Sequence, residues 1–574
     1  MLTRFLRNRR GSVLPTFAIA LIPLLVSTGA VIDYTNAFDE KTMVQDAMDS
    51  AALAAGKQIG IMTTDEVKIE AGNFFDSNID GKVTQTPTLV TAISGATIDL
   101  TTTLHVKTYF LGLIGLDEFI FDLKAQATLA MGTLEVALVL DNSGSMSGSK
   151  ISTLRTAATD LTNTLFGLGT TSTKPDPVKV SLIPFAGAVN VGSSNKTSGW
   201  MDTTAVSPYH GETFEGYSGS PPVSNNSPAA INLFTLFDSM NGAGNAWAGC
   251  VEERPAPYDV QDDEATTATP ATMFVPMFAP DEPDNWTCTD LACPSPTYRT
   301  GSGSNRRYNR ALTGARDHNN YLPDFPTGAG KCSGTNANWT CKNGTCGGGS
   351  GVTEQTALAR TCKYGTPANK VTPVALTVSL SGGGSSYPGG PNFMCTTGAL
   401  TPLSTNQSDI TTKISAMQAN GITNITAGLM WGWRTLSPTA PFTEGRANDV
   451  ADNQKIIILM TDGENTYFAN GKFTKSHYGA WGYVWKQHLG TNSSDEDDME
   501  DKEDERLAAA CDNANTAGTK IYTVAFQISD PDTLQLLTDC ATEPDMAYQS
   551  SSNSALLAAF TAIGDDISLL RVSQ

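Results

Sequence analysis

The stretch Leu134-Glu135-Val136-Ala137-Leu138-Val139-Leu140-Asp141-Asn142-Ser143-Gly144-Ser145 is a short apolar run ending in an acid and a polar turn. That is how a strand buried on both faces leaves a parallel sheet. After the turn, Ile151, Leu154, Ala158, Leu161 and Leu165 mark one face of a helix, and Val178–Phe185 is a second apolar run. Strand, helix, strand at this spacing is a βαβ unit. The alternation returns far downstream. Asp409–Ala419 and Ile425–Thr435 read as helices, Lys455–Met460 as a strand, Glu500–Thr516 as a helix closed by Gly518, and Ile521–Phe526 as a strand. A last helix carries Leu556, Phe560, Ile563, Ile567 and Leu570 on one face. Residues 134–191 and about 403–571 are therefore expected to form one doubly wound, mostly parallel α/β domain. Its span is 133–574, interrupted by an insertion at 192–402.

The Asp141 turn also carries chemistry. It places one carboxylate and the hydroxyls of Ser143 and Ser145 at the C-terminal edge of the sheet, where open α/β sheets bind ligands. Gly421-Ile422-Thr423-Asn424 is a turn with another hydroxyl before a helix, and Thr461-Asp462-Gly463-Glu464 follows the Lys455–Met460 strand. Three loops thus offer only oxygen ligands, which suits a hard divalent cation, Mg²⁺ first, with Mn²⁺ and Ca²⁺ as alternatives. Asp-x-Ser-x-Ser alone is a weak signal, because Asp and Ser often share turns for local hydrogen bonding. Three elements in order, each in its strand context, are a strong one.

This arrangement resembles the von Willebrand A family and its metal-ion-dependent adhesion site. The resemblance implies Asp141, Ser143 and Ser145 as the first element, Thr423 as the second and Asp462 as the third. It further implies direct ligation by the hydroxyls, aspartates acting often through water, and a sixth position left open for a partner's carboxylate.

The insertion is rich in Gly, Ser, Thr, Asn and Pro and holds eight of the ten cysteines, from Cys250 to Cys395. A loop of that length needs structure of its own, so a disulfide-supported subdomain with much irregular backbone is expected. Zinc is the alternative for Cys332, Cys341, Cys346 and Cys362, but their C-x8-C-x4-C-x15-C spacing contains no tight C-x2-C pair. Cys511 and Cys540 form a plausible local pair.

At the other end, Arg4, Arg7, Arg9 and Arg10 precede an uncharged stretch from Gly11 to Ile32, which Asp33 ends. The expected layout is a basic cytoplasmic tail at 1–11, a transmembrane helix at 12–32 and everything else outside. Pro15 and Pro23 are tolerated in such a helix. A cleaved signal peptide is the alternative, disfavoured by the length of the span and the lack of an A-x-A site before Asp33. Ala37, Val44, Met48, Ala51 and Ala55 continue one helical stripe beyond the membrane. Residues 33–132 are expected to be a small α+β module, with a helix at Asp65–Phe75 and strands near Thr88–Ile93, Thr97–Val106 and Phe119–Leu129.

The formal charge of −21 argues against a nucleic-acid partner, which would need clustered Lys and Arg. The acidic run Asp495–Glu505 is expected to be a solvated helix start; it lacks the spacing of a calcium-binding loop. Gly144-Ser145-Met146-Ser147-Gly148 is no hydrolase elbow, because Met146 holds the nucleophile's place. The five histidines have no motif spacing, and Trp431 and Trp433 are expected to fill core. No catalytic set is visible, so a non-enzyme is expected.

Both ends of the chain and the metal domain, but not the insertion, resemble the TadG-like proteins of tight-adherence (Flp) pilus assembly. The basic N-terminus, Gly11-Ser12, the single span and the Asp33 exit carry that likeness. So do Trp431-Gly432-Trp433-Arg434-Thr435-Leu436-Ser437-Pro438, the Thr461–Asn465 turn, and Cys511 and Cys540 flanking the last strand. Pilin-like relatives have Glu five residues after the processing Gly; here it is Thr16, so prepilin-style cleavage is not expected. The resemblance implies a single-pass protein of the bacterial inner membrane with its bulk in the periplasm, binding pilus or pilus-assembly proteins through the metal site. A surface adhesin using the same site on host or matrix protein is the alternative.

Overall fold

Helix α1 spans Val13–Gly56 and runs through Pro23 without a break. The carbonyls of Pro23 and Leu24 also accept the hydroxyls of Ser27 and Thr28 one turn on. Among the described residues it is the one helix long and apolar enough to cross a membrane. Beyond Asp33 its small-residue stripe, Ala37, Val44, Met48, Ala51 and Ala55, is wholly buried. The stripe packs in a core with Val67, Ala71 and Phe75 of α2 (Thr64–Ile79) and Ile98, Leu100 and Leu123 of a three-stranded antiparallel sheet. Its strands are β1 (Val90–Ser94), β2 (Thr97–Lys107) and β3 (Glu118–Thr128). Alternate residues of β2 face that core, as period two requires.

These are features of a computed structural model. It describes residues 13–572 apart from 60–61, 80, 82, 95–96, 129–131, 171, 173, 215–230, 283–296, 301–306, 310–314, 317–318, 323–329, 334–339, 343–353, 360, 374, 381–385, 451 and 471. The basic tail and the start of the predicted span lie outside that set. The chain divides into two units, Met1–Gly132 with Gly167–Pro177 and Asp565–Gln574, and Thr133–Phe166 with Val178–Gly564.

The second unit is built on a six-stranded sheet. In chain order its elements are β4 (Thr133–Asp141), α3 (Ser149–Gly169), β5 (Val178–Phe185), β6 (Thr401–Ser404), α4 (Gln407–Ala416), α5 (Ile425–Leu436), β7 (Asn453–Thr461), α6 (Glu496–Thr516), β8 (Lys520–Phe526), α7 (Pro531–Cys540), β9 (Ala547–Ser550) and α8 (Asn553–Val572). The strands lie in the order β6-β5-β4-β7-β8-β9. All neighbours are parallel except β6, which runs antiparallel to β5. Every residue of β4 is buried. Ala137 and Val139 join the core around α5, and Val136, Leu138 and Leu140, on the opposite face, are equally buried. Helix α5 lies so close to the sheet that a methyl on Gly428 would meet Phe185 and Val139, and one on Gly432 would meet Val139.

Among the described residues, the insertion's apolar side chains join the core of the sheet. Trp200 and Phe274 pack on Trp431 of α5, with ring centroids 6.3 and 4.9 Å away. Phe234, Met273 and Phe278 belong to the same cluster as Val139 and Ile457 of the sheet. One face of the sheet with α5 on it has more apolar surface than its own helices cover, and the insertion closes over it. Trp431 and Trp433 are core residues there. The structure contains the disulfides Cys250–Cys395 and Cys511–Cys540. The other six cysteine side chains, including all four of the zinc alternative, lie outside the described part.

The acidic run also differs from a purely solvated start. Asp495 caps α6, and Glu496, Asp497 and Asp498 fill its first turn, where negative charge complements the helix dipole. Glu503, however, is buried and accepts a hydrogen bond from Trp481 Nε1 at 3.1 Å. Burial holds its carboxyl well above the usual range.

Candidate metal centre

The order of the strands reverses between β4 and β7, and a crevice forms at the carboxyl ends of strands at such a point. Asp141 is the last residue of β4 and Thr461 the last of β7, so their side chains meet at that rim. Asp141 Oδ1 accepts the Ser143 N–H at 2.6 Å, which folds the chain into a tight turn. Its Oδ2 accepts the Thr461 hydroxyl at 2.7 Å and ties the two strand ends together. Ser143 Oγ and Ser145 Oγ are 2.7 Å apart, and Ser145 Oγ donates to Asp462 Oδ1 at 2.5 Å. Four of the five residues singled out in the sequence thus form one hydrogen-bonded set.

Thr423 reaches the same rim through its backbone. Gly421, left-handed at φ +116°, turns its carbonyl to the Gly144 N–H at 2.9 Å. A side chain there would collide with Thr396 and Ala186. The Thr423 carbonyl accepts from Thr466 N at 2.9 Å, which fixes it beside the loop after β7. Asn424 then caps α5 by accepting from Ala427 N, and Asn465 Oδ1 accepts from Ile425 N. Among the described residues no hydrogen bond joins the Thr423 hydroxyl to the other four.

Two groups at the rim were not anticipated. The Thr461 hydroxyl is one. The other is Lys150, whose ammonium donates to Asp462 Oδ2 at 2.5 Å. Its signal in the sequence is its place: a cation in the first turn of α3 opposes the helix dipole and needs a compensating anion.

The electrostatics are unbalanced. The Asp141 and Asp462 side chains are both buried, with Lys150 the cation paired to them. Burial first, and the Asp462 charge second, push the Asp141 carboxyl up to about 6, against hydrogen bonds from Ser143 and Thr461. The neighbouring Asn142 Oδ1 is buried without a hydrogen-bond partner. Two carboxylates and a set of hydroxyls, all oxygen, with more negative than positive charge, fit a hard divalent cation. Among the described residues no group of three or more His, Cys, Asp or Glu is arranged for a metal, so a cation held here depends on the hydroxyls.

Residues 11–58 match the model of the family Tad, described as "Putative Flp pilus-assembly TadE/G-like". No curated protein sequence matches the chain. Among solved structures, the chain is similar to the pilus adhesin SpaC from Lactobacillus rhamnosus GG, with 12% identity over 84% of this chain and 34% of that one, at a TM-score of 0.30. It is also similar to the vWF domain of the type V pili tip protein Mfa5 from Porphyromonas gingivalis (9% identity, 76% of this chain and 95% of that one, TM-score 0.29). A third is the pilus adhesin RrgA from Streptococcus pneumoniae (9% identity, 81% and 46%, TM-score 0.28). The chain spans about a third of the length of SpaC. At these TM-scores the likeness carries no weight for fold or function.

Proposed function

We propose that this chain is a membrane-anchored component of tight-adherence pilus assembly that binds protein partners through a metal-ion-dependent adhesion site on a von Willebrand A-like domain. The match of residues 11–58 supports the pilus-assembly setting and the anchor. The observation that carries the site is the bonded set Asp141, Ser143, Ser145 and Asp462 at the point where strand order reverses. In this reading the segment 12–32, which includes the start of α1, crosses the bacterial inner membrane once. The module 33–132 and the domain 133–574, with its insertion 192–402, lie in the periplasm, and the arginines before the span set that orientation.

Asp141, Ser143, Ser145, Thr423 and Asp462 would hold the ion, Mg²⁺ by preference. The bound cation supplies a Lewis-acidic position for a carboxylate of the partner protein. The chain's own part is to hold the oxygens in register. Thr461 fixes Asp141, Ser145 fixes Asp462, and the Gly421 carbonyl fixes the Gly144 turn. Nothing here requires bond making or breaking, so the reading is of a binding protein and not an enzyme. A surface adhesin built on the same site is the competing reading; the TadE/G-like segment favours pilus assembly.

The test is capture of pilus and pilus-assembly proteins, each purified, by the full chain in detergent with Mg²⁺. Capture is expected for the wild type, lost with EDTA and in Asp141→Ala, and weakened in Thr423→Ala with the fold intact. Equal capture with EDTA refutes the metal-dependent site, and binding of host matrix protein only refutes the assembly reading.

A further inference from the structure

The first unit carries an apolar feature that neither the metal site nor the small core uses. Between β2 and β3 the chain makes a turn, Thr108-Tyr109-Phe110-Leu111-Gly112-Leu113-Ile114-Gly115-Leu116, with no charged residue and with Lys107 and Asp117 at its two ends. A hairpin tip of a water-soluble module is normally polar. Here Tyr109, Leu113 and Ile114 are 71%, 78% and 63% exposed. Phe110 and Leu116 are exposed as well.

The turn is held against α1 at one level. Asp33 is buried, and its Oδ1 accepts the Tyr109 N–H at 3.1 Å while Oδ2 accepts the Phe110 and Leu111 N–H groups at 2.8 Å each. One helical turn earlier, the Phe110 ring occupies the place a side chain on Gly29 would need. Gly29 and Asp33 share a helix face; Gly29 lies in the last turn of the uncharged stretch that began at Gly11, and Asp33 ends that stretch. The exposed turn therefore continues the exposed apolar surface of Leu25, one helical turn before Gly29 on the same face, with the exposed Ile32 at the same level of the helix.

Its backbone is also prepared for a place without water. Asp33 takes three N–H groups; Leu113 N donates to Phe110 O, Gly115 N to Gly112 O and Leu116 N to Leu111 O. Thr108 N donates to Asp117 O, and the Thr108 hydroxyl donates to Leu116 O. An apolar environment demands that backbone polar groups find partners inside the protein. A tip in water has no such need.

We propose that the turn Tyr109–Leu116 is a second membrane contact, seated in the lipid leaflet through which α1 emerges and locking the helix to the sheet β1-β2-β3 at the bilayer surface. Tyr109 matches the aromatic residues that collect at membrane interfaces. The occupant is lipid and not a protein groove, because the turn continues the lipid-facing surface of the helix it is fastened to. Asp33 then serves twice, ending the apolar span and carrying the turn that caps it. The inference rests on the reading of 12–32 as a membrane span.

All eight tryptophans of the chain lie at or beyond Trp200, so a tryptophan placed in the turn reports by difference from the wild type. The full chain, as Leu113→Trp, is reconstituted into phosphatidylcholine vesicles with acyl chains brominated near the headgroup end. The added emission is expected to be blue-shifted and lost to bromine quenching. Leu53→Trp, at an exposed position of α1 about 30 Å farther along the helix, is expected to keep its emission in the same vesicles. Unquenched, water-like emission from Leu113→Trp in vesicle-bound chain overturns the turn's membrane contact. Blue-shifted emission without quenching also overturns it and assigns the turn to a protein contact. Release of the wild-type chain from vesicles by alkaline carbonate refutes the span itself, a different failure from the first two.

Discussion

Strand β4 carries a buried carboxylate near each end, and the two are treated differently. Glu135 sits near its start and Asp141 at its finish, about 20 Å apart along the strand. Glu135 is fully compensated. It accepts from the Arg446 backbone N–H at 3.0 Å and its guanidinium at 2.9 Å, accepts from Asn453, and has the Lys179 ammonium at 3.7 Å. Lys455, on the neighbouring strand, has its ammonium satisfied by the carbonyls of Leu436 and Arg446 and by Asn448. Asp141 has only neutral donors and a second carboxylate, Asp462, close enough to raise its pKa. One strand thus buries one acid with ample positive charge and leaves another short. The N-terminal end of the sheet is a permanent clamp, and the C-terminal end buries two carboxylates beside one paired cation, Lys150.

The sharpest way to test that contrast is to remove each acid in turn. Glu135→Ala strands Arg446 and Lys179 and should cost about 3–5 kcal/mol of unfolding free energy, equally with and without Mg²⁺ in urea titrations. Asp141→Asn should do the opposite in metal-free protein. It removes a charge that burial and Asp462 disfavour, and should raise stability by on the order of 1–3 kcal/mol at neutral pH. The same variant should lose Mg²⁺ affinity by on the order of 100-fold. A loss of stability from both substitutions would erase the distinction.

The pH dependence follows the same asymmetry. Folded Asp141 keeps its proton to about 6, above the ordinary carboxylate value near 4. Between those values the folded state binds more protons than the unfolded one, so Asp141 makes metal-free stability fall as pH rises from about 4 to 6. Burial also raises Glu252 to about 8 and Glu253 to about 7, which continues the decline above that window. Subtracting the Asp141→Asn profile isolates the Asp141 share. Mg²⁺ should stabilise the wild type increasingly across the same window.

Lys150→Met gives the smallest effect. Lys150 is the cation paired with Asp462, so its loss should lower metal-free stability by about 1 kcal/mol and tighten Mg²⁺ binding by up to about tenfold. Calorimetric titration measures the second; weaker binding would make Lys150 a support of the loaded site instead of a stand-in for its ion.

What was legible in the sequence had a period or a fixed spacing. The apolar run Val136–Leu140 and the stripe from Ile151 to Leu165 appear as β4 and α3, and Val178–Phe185 is β5 residue for residue. The short edge strands β6 and β9, and α7 beginning at Pro531, were missed because four residues, or a helix with few apolar positions, carry little periodic signal. The insertion's contribution to the core was illegible for the same reason: Trp200, Phe234 and Phe274 pack from irregular backbone, where no spacing announces a face. At the site, Asp141, Ser143, Ser145 and Asp462 could be named from strand ends. Lys150 could not be paired with Asp462 before the fold brought residues 312 positions apart together.

Anomalous scattering from crystals of the full chain grown with Mn²⁺ locates the ion directly. The account predicts a peak at the carboxyl ends of β4 and β7, among the side-chain oxygens of Asp141, Ser143, Ser145, Thr423 and Asp462, absent in Asp141→Asn. Well-ordered Asp141 and Asp462 with no peak between them at saturating Mn²⁺, or a peak held by other residues, would contradict it.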